Sequence, residues 1–374
     1  MSDEAVKVEP APKAERLMSL DALRGFDMFW IIGGESIAHA AAKLTGWAGL
    51  VWLSGQLEHP EWHGFTFYDL IFPLFLFMAG VSMPYSFEKR LARGDTKAQL
   101  YRHVIIRGLV LVLLGWVYSG ILKLDFANMR YPSVLGRIGL AYMLAGLVFL
   151  NTDLRGRLWW IVGLLVGYWA ALKFIPVPGF GAGDLEPGHT LTDWIDHTLL
   201  PGRLYKGNRD PEGILGTVPA VATALAGGLT GQFLKHSQGS GYFKAGMMAL
   251  MGVVCLGLGW LWDFNFPINK NLWSSSFVLW CAGWSLIFLA AFYLVIDVWK
   301  FRRWAFFFVV IGSNSILIYM AQRLIDFNYT AHFLLDGVLG LTGGYEPLLF
   351  AIGLVMLKWL FLYLMYRKKI FLRV

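Results

Sequence analysis

The chain has 374 residues, of which 57% are hydrophobic and only 15% charged, and it carries a net charge of +7. A soluble domain carries about 25% charged residues, so this composition argues against a soluble globular protein. The positive balance reads as basic loops on the cytoplasmic side of a membrane, and no nucleic-acid partner is expected.

Residues 1–16 are polar and contain proline, and they read as a disordered cytoplasmic tail. The first apolar run has no small-residue cleavage site behind it, so no cleavable signal peptide is expected. From residue 17 to 374 the pattern predicts a single all-α, polytopic transmembrane domain with about ten helices, each long enough for a bilayer of roughly 30 Å. The spans fall at roughly 17–40, 65–86, 101–122, 133–150, 157–175, 213–234, 243–263, 273–297, 304–324 and 346–366. An even number puts both termini on one side. Lys89, Arg90, Arg93, Lys97 and Arg102, then Lys300, Arg302 and Arg303, then Arg367, Lys368, Lys369 and Arg373 make that side the cytoplasm.

That orientation turns the loop around His59, the long loop 176–212 and the Asn269-Lys270-Asn271 segment outward. The long loop is rich in Gly, Pro, Asp and His and reads as a lid or substrate vestibule. No internal repeat is visible, which counts against a secondary transporter, since many of those are built from inverted halves.

The first span carries Asp21, Arg24 and Asp27, three apart and on one helix face. They read either as a self-neutralising ion network or as an anchor for an anionic ligand. Glu35 and His39, four apart, follow Gly33-Gly34, a pair that permits close packing or a break. A glutamate at that depth is costly without a partner, which makes Glu35 a functional candidate.

The segment EHPEWHGFTFYDLIFPLFLFMAG, residues 58–80, runs from a polar loop straight into an apolar helix. His59 and His63 have i, i+4 spacing, but Pro60 between them breaks any regular helix, and no third ligand stands nearby. No metal is expected. Asp69 reads either as a helix-start residue satisfying free backbone N–H groups or as the carboxylate that orients an imidazole.

Farther on, Arg137 lies one turn inside its helix, placed for a carbonyl, a phosphate or Asp69. Asn314 and Ser315 lie mid-span, where they line a narrow passage or bond between helices. Cys255 and Cys281 sit in apolar segments and read as small buried hydrophobes.

Several phrases taken together resemble one family: LDALRGFDM, HPEWHGFTFYDLIFPLFLFMAG, RYPSVLGRIG, DPEGILGTVPAVATALAGGLTGQ, PINKNLWSSSFVL, IGSNSILIY and YRKKIF. In order and spacing they are similar to the transmembrane acetyltransferases of the heparan-α-glucosaminide N-acetyltransferase family, and most of all to bacterial members linked to N-acetylglucosamine use. The resemblance runs from about residue 16 to the end, and DPEGILGT and NKNLWS are its most specific motifs.

The resemblance implies transfer of an acetyl group from cytoplasmic acetyl-CoA to the amine of a glucosamine, or a glucosamine-ended glycan, across the membrane. The family's catalytic histidine precedes a W-x-G-x-T-x-x-D-L-x-F-P pattern. It falls on His59, with Trp62, Gly64, Thr66, Asp69, Phe72 and Pro73 matching the rest. Glu35 stands where the animal enzyme has an asparagine, and Gln322 where the family has a histidine.

The implied catalytic set is His59, Glu35 and Asp69, with His59 as general base or as transient acetyl acceptor. Arg24, Arg137, Asn314 and Ser315 are assigned to the donor, and Asn269, Lys270, Asn271 and His63 to the sugar. A bacterial inner membrane with a periplasmic site mouth, lipid contact and a homodimer are compatible with this reading. A transporter of a sugar or acyl compound is the alternative.

Overall fold

The computed structural model describes residues 17–372. Among them the regular structure is helical, with isolated bridges at Arg130–Gly202 and Val177–Gly181 in place of strands. In chain order the helices are α1 Met18–Phe29, α2 Glu35–Thr45, α3 Ala48–Gln56, α4 Phe67–Leu91 and α5 Lys97–Ser119. They continue as α6 Val134–Asn151, α7 Leu154–Phe174, α8 Leu191–Leu199, α9 Thr217–His236 and α10 Gly241–Asp263. The last are α11 Ser275–Phe292, α12 Ala305–Gly312, α13 Ser315–Leu324, α14 Phe327–Leu339 and α15 Glu346–Arg367.

A helix, or a broken pair of helices, stands at each of the ten predicted segments. Six of the described helices are both long and apolar enough to cross a membrane, and a seventh span arises if α12 and α13, bent by 67°, count as one. The difference has a compositional cause. Segment 17–40 is split into α1 and α2, α7 carries Arg155, Arg157 and Lys173, and α9 is rich in Gly, Ala and Thr. Of these, α9 is largely buried against protein neighbours, whereas α7 leaves Trp159, Val162 and Val166 exposed.

The centre is α4, whose apolar length is the most enclosed of the spans. It packs on α9 with backbones almost touching: a Cβ at Gly227 would stand 2.0 Å from the Phe77 carbonyl oxygen, and one at Gly231 2.2 Å from that of Val81. Small residues let the helices approach this closely where lipid supplies no hydrophobic drive. Leu250, Val253 and Val254 on α10, and Leu360 and Leu364 on α15, are exposed and suit an acyl-chain environment.

Two breaks shape the interior. Between α1 and α2 the chain makes a π-turn at Trp30–Gly34, with Gly33 at φ 134°, which glycine accepts and other residues resist. Lys358 of α15, itself buried, donates 2.8 Å to the Ile32 carbonyl oxygen inside this turn. An irregular backbone at membrane depth needs such a partner. The second break, at Ser313–Asn314, is held by the chain's end: Asn314 Nδ2 donates to the Ile370 carbonyl oxygen (2.7 Å) and its Oδ1 accepts from Leu372 N (3.0 Å).

Candidate active site

The start of α4 builds the site. Thr66 and Asp69 form a capping box, with Thr66 N–H donating 3.2 Å to Asp69 Oδ2. The other oxygen, Oδ1, lies 2.7 Å from His59 Nδ1. Asp69 is wholly buried, while the His59 side chain is 47% exposed, so a fixed carboxylate holds an imidazole whose far edge reaches open space. A buried carboxylate keeps the proton on Nδ1 and leaves Nε2 as the acceptor.

Lys270 completes the cluster, with Nζ 3.0 Å from His59 Nε2 and 3.4 Å from Asp69 Oδ1. It sits in a locked turn: Asn269 Oδ1 accepts from Leu272 N (3.0 Å), Asn269 N–H donates to Ser274 Oγ (3.0 Å), and Trp273 N–H donates to the Lys270 carbonyl oxygen (3.0 Å). Burial lowers the Lys270 pKa, and Asp69 and Glu212 pull it back up.

These groups line a cavity of about 490 Å³. Its other walls come from the loop before α6 (Arg130), the long loop (Tyr205, Lys206, Arg209, Glu212) and α13 (Tyr319). Arg130 is clamped by Asp210, with Nε 2.7 Å from Oδ2, and also pairs with Glu212. These acids hold its pKa above the ordinary arginine value against the effect of burial. The long loop is therefore a wall of the cavity. Trp62 Nε1 donates 2.8 Å to the Leu185 carbonyl oxygen, and the Arg209 guanidinium lies 4.6 Å from the Trp62 ring centre.

A second cavity, about 810 Å³, opens along the remainder of α4. Arg24, Lys89, Arg90, Arg93 and Arg107 line it, with Asp95 as the one carboxylate among its lining residues. Arg24 donates 3.2 Å to Ser82 Oγ, and Arg90 Nη1 lies 3.0 Å from Asp95 Oδ2. The two cavities have walls one helical turn apart on the same two helices. On α4, Phe72 lines the first and Phe75 the second, and on α13 Tyr319 lines the first and Ile316 the second. Three residues of helix are about 4.5 Å of rise.

The structure brings some of the sequence candidates together and leaves others apart. His59, Asp69, Lys270 and Asn271 line the first cavity, and Arg24 and Ser315 the second. Tyr68, with its ring centre 5.0 Å from that of His59, has Glu35 as the carboxylate that acts on its hydroxyl. Arg137 lines neither cavity. It is buried, donating 2.9 Å to the Gly213 carbonyl oxygen, with its guanidinium 5.1 Å from the Trp273 ring centre. Asn314 is engaged with the C-terminal segment.

His63 turns away from His59 and bonds Asn269 Nδ2 at 3.2 Å, and burial lowers its pKa. His39 pairs with Ser54 Oγ at 2.6 Å. No cluster of His, Cys, Asp and Glu with metal-holding geometry occurs among the described residues. Arg130, Arg209, Glu212 and Tyr319 were not singled out from the sequence. Arg130, Glu212 and Tyr319 carried a signal through their places in RYPSVLGRIG, DPEGILGT and IGSNSILIY, and Arg209 carried none.

Residues 16–122 match a family model described as a domain of unknown function, DUF5009. Over 84% of its length the chain is 26% identical to heparan-alpha-glucosaminide N-acetyltransferase of Homo sapiens, covering 53% of that protein. The Mus musculus protein of the same name is likewise 26% identical, with 84% of this chain and 54% of that protein covered. The chain is similar in sequence to the heparan-alpha-glucosaminide N-acetyltransferases. It spans about half the length of these curated relatives.

Proposed function

We propose that the protein transfers an acetyl group from acetyl-CoA, held in the basic cavity, to the amine of glucosamine or a glucosamine-ended glycan in the His59 cavity. The observation that carries this reading is that the two cavities line successive turns of α4 and of α13. One is rich in cations and suits a phosphorylated nucleotide, and the other holds a carboxylate-oriented histidine. The nucleotide stays at the cytoplasmic face, because its charges make passage through hydrocarbon prohibitive. The thin arm carrying the thioester extends past Phe75 and Phe72 toward His59. The sugar enters from the opposite, periplasmic side of a bacterial inner membrane.

Chemistry follows from the tautomer that Asp69 imposes. The amine nitrogen attacks the thioester carbonyl carbon while His59 Nε2 takes a proton from that nitrogen. The C–N bond forms, the C–S bond breaks, and the proton passes from the imidazolium to the departing sulfur. Asp69 keeps its proton-free carboxylate throughout and steadies the imidazolium. Histidine suits the task because its reference pKa is about 6.5. Transfer is direct, from thioester to amine.

The test is turnover of acetyl-labelled acetyl-CoA with glucosamine by the purified protein. Labelled N-acetylglucosamine from wild type and none from His59→Ala supports the reading. Wild-type turnover in His59→Ala removes it, and uptake of sugar without acetyl-CoA turns it toward transport.

A further inference from the structure

We propose that Lys270 is a second catalytic residue, whose ammonium holds the carbonyl oxygen of the acyl group while the amine attacks. This rests on the acyl-transfer reading and adds to it a group aimed at the charge the reaction develops.

The argument begins with distances to the imidazole. Lys270 Nζ lies 3.0 Å from His59 Nε2 and also 3.3 Å from Nδ1. An atom on the in-plane lone-pair axis of one ring nitrogen cannot come that near the other. Nζ therefore stands over the face of the ring, and the Nε2 lone pair remains open for the amine's proton. A lysine ammonium has three N–H donors. Here one is directed to Asp69 Oδ1 at 3.4 Å and one to the ring, which leaves a third for the cavity that Lys270 lines.

A base at Nε2 and a cation beside it stand where an attacked carbonyl needs them: the amine on one side of the carbon, the oxygen against the cation. Three other donors near the cavity are committed. Arg130 is clamped by Asp210 and Glu212, Arg137 bonds the Gly213 carbonyl and lines neither cavity, and the Asn269 amide is spent on Leu272 and His63. The turn that fixes Asn269 fixes the Lys270 backbone as well, so little is reorganised when charge appears.

The bookkeeping is closed. As the C–N bond forms, the carbonyl π pair moves to oxygen, where Lys270 meets it without giving up a proton. When the pair returns, the sulfur leaves. The groups that face Lys270 are His59, Asp69, Glu212 and the Cys281 thiol. Burial lowers its pKa despite the two carboxylates, so the ammonium is lost at lower pH than an exposed lysine would lose it.

Lys270→Met and Lys270→Arg in the full-length protein test this, with kcat and both KM values followed across pH. Removing one such donor costs about 10²–10³ in kcat. We expect Lys270→Met to lose that much, with CoA affinity and the thermal midpoint close to wild type. Lys270→Arg should keep part of the rate, and its alkaline fall should move to higher pH, because guanidinium stays protonated. A Lys270→Met kcat within about threefold of wild type, far from the loss expected for an oxyanion donor, overturns the proposal. So does a rise in acceptor KM alone, or an alkaline limb unchanged in Lys270→Arg. These results leave acyl transfer standing, whereas a wild type inactive toward acetyl-CoA removes that reading and Lys270's role with it.

Discussion

Asp69 divides one carboxylate between two duties: Oδ1 lies 2.7 Å from His59 Nδ1 while Oδ2 accepts the Thr66 N–H at 3.2 Å. The cap that starts α4 and the orienting group of the imidazole are the same side chain. Helix position and base orientation are therefore coupled, and the two readings the sequence offers for Asp69 hold together.

Asp69→Asn separates these duties. An asparagine still accepts from Thr66, so the helix start survives and stability falls by no more than about 1 kcal/mol. Its amide cannot hold the imidazolium as a carboxylate does, and kcat falls by about 10²–10⁴. Thermal unfolding alongside acetyl transfer reads both quantities. A variant that unfolds early but turns over normally when folded would contradict the assignment.

Tyr68 is the link between Glu35 and His59 in the proposed mechanism. Glu35→Gln and Tyr68→Phe should therefore reduce kcat by similar and modest factors, about tenfold, well below the 10²–10⁴ expected for losing the base. The double variant should cost little more than either single one, since both break one link. Additive losses in the cycle would show that Glu35 touches the reaction independently.

In the proposed mechanism the basic cavity governs donor binding rather than chemistry. Neutralising Arg93 or Lys89 by glutamine should raise KM for acetyl-CoA severalfold with kcat little changed, and added salt should shrink the difference. A kcat loss at constant KM would move these cations out of donor binding.

Asp196, on α8 in the long loop, gives a pH test of the fold. Its Oδ1 accepts from Ile214 N at 2.8 Å, but burial pushes its pKa up to about 7. The folded state then holds a proton that the unfolded chain releases near the ordinary carboxylate value, about 3.9. This contribution to stability is intact below that value and is lost as pH rises toward 7. Asp196→Asn, which keeps the acceptor, should flatten the fall in thermal midpoint over this window. An unchanged pH slope would remove Asp196 as its source.

The sequence exposed the site unevenly, for physical reasons. His59 and Asp69 are ten residues apart in one loop-helix unit, so local rules about prolines, caps and carboxylates reach both. Lys270 is 211 residues from His59, and the packing of α11 beside α4 and loop bonds such as Gly64 N–H to the Ile268 carbonyl oxygen join them. The buried charge of Arg137 was legible, but its direction was not, because its partner is a backbone carbonyl that has no signature in sequence. Gly33-Gly34 announced the break after α1, whereas Lys358, which caps that break from another helix, looked like one charge in an apolar run. Helix positions were legible as apolar runs. Their number as spans was not, since α7 carries three basic residues and α9 is rich in small and polar ones.

The most direct test of acetyl transfer between opposite faces uses proteoliposomes with uniformly oriented protein. Membrane-impermeant, acetyl-labelled acetyl-CoA is supplied on the side of the Arg24 cavity, and glucosamine is enclosed on the side of the His59 cavity. The account predicts labelled N-acetylglucosamine on the glucosamine side, with CoA left on the donor side, and none from His59→Ala. Product that forms only when donor and acceptor share one side would contradict it.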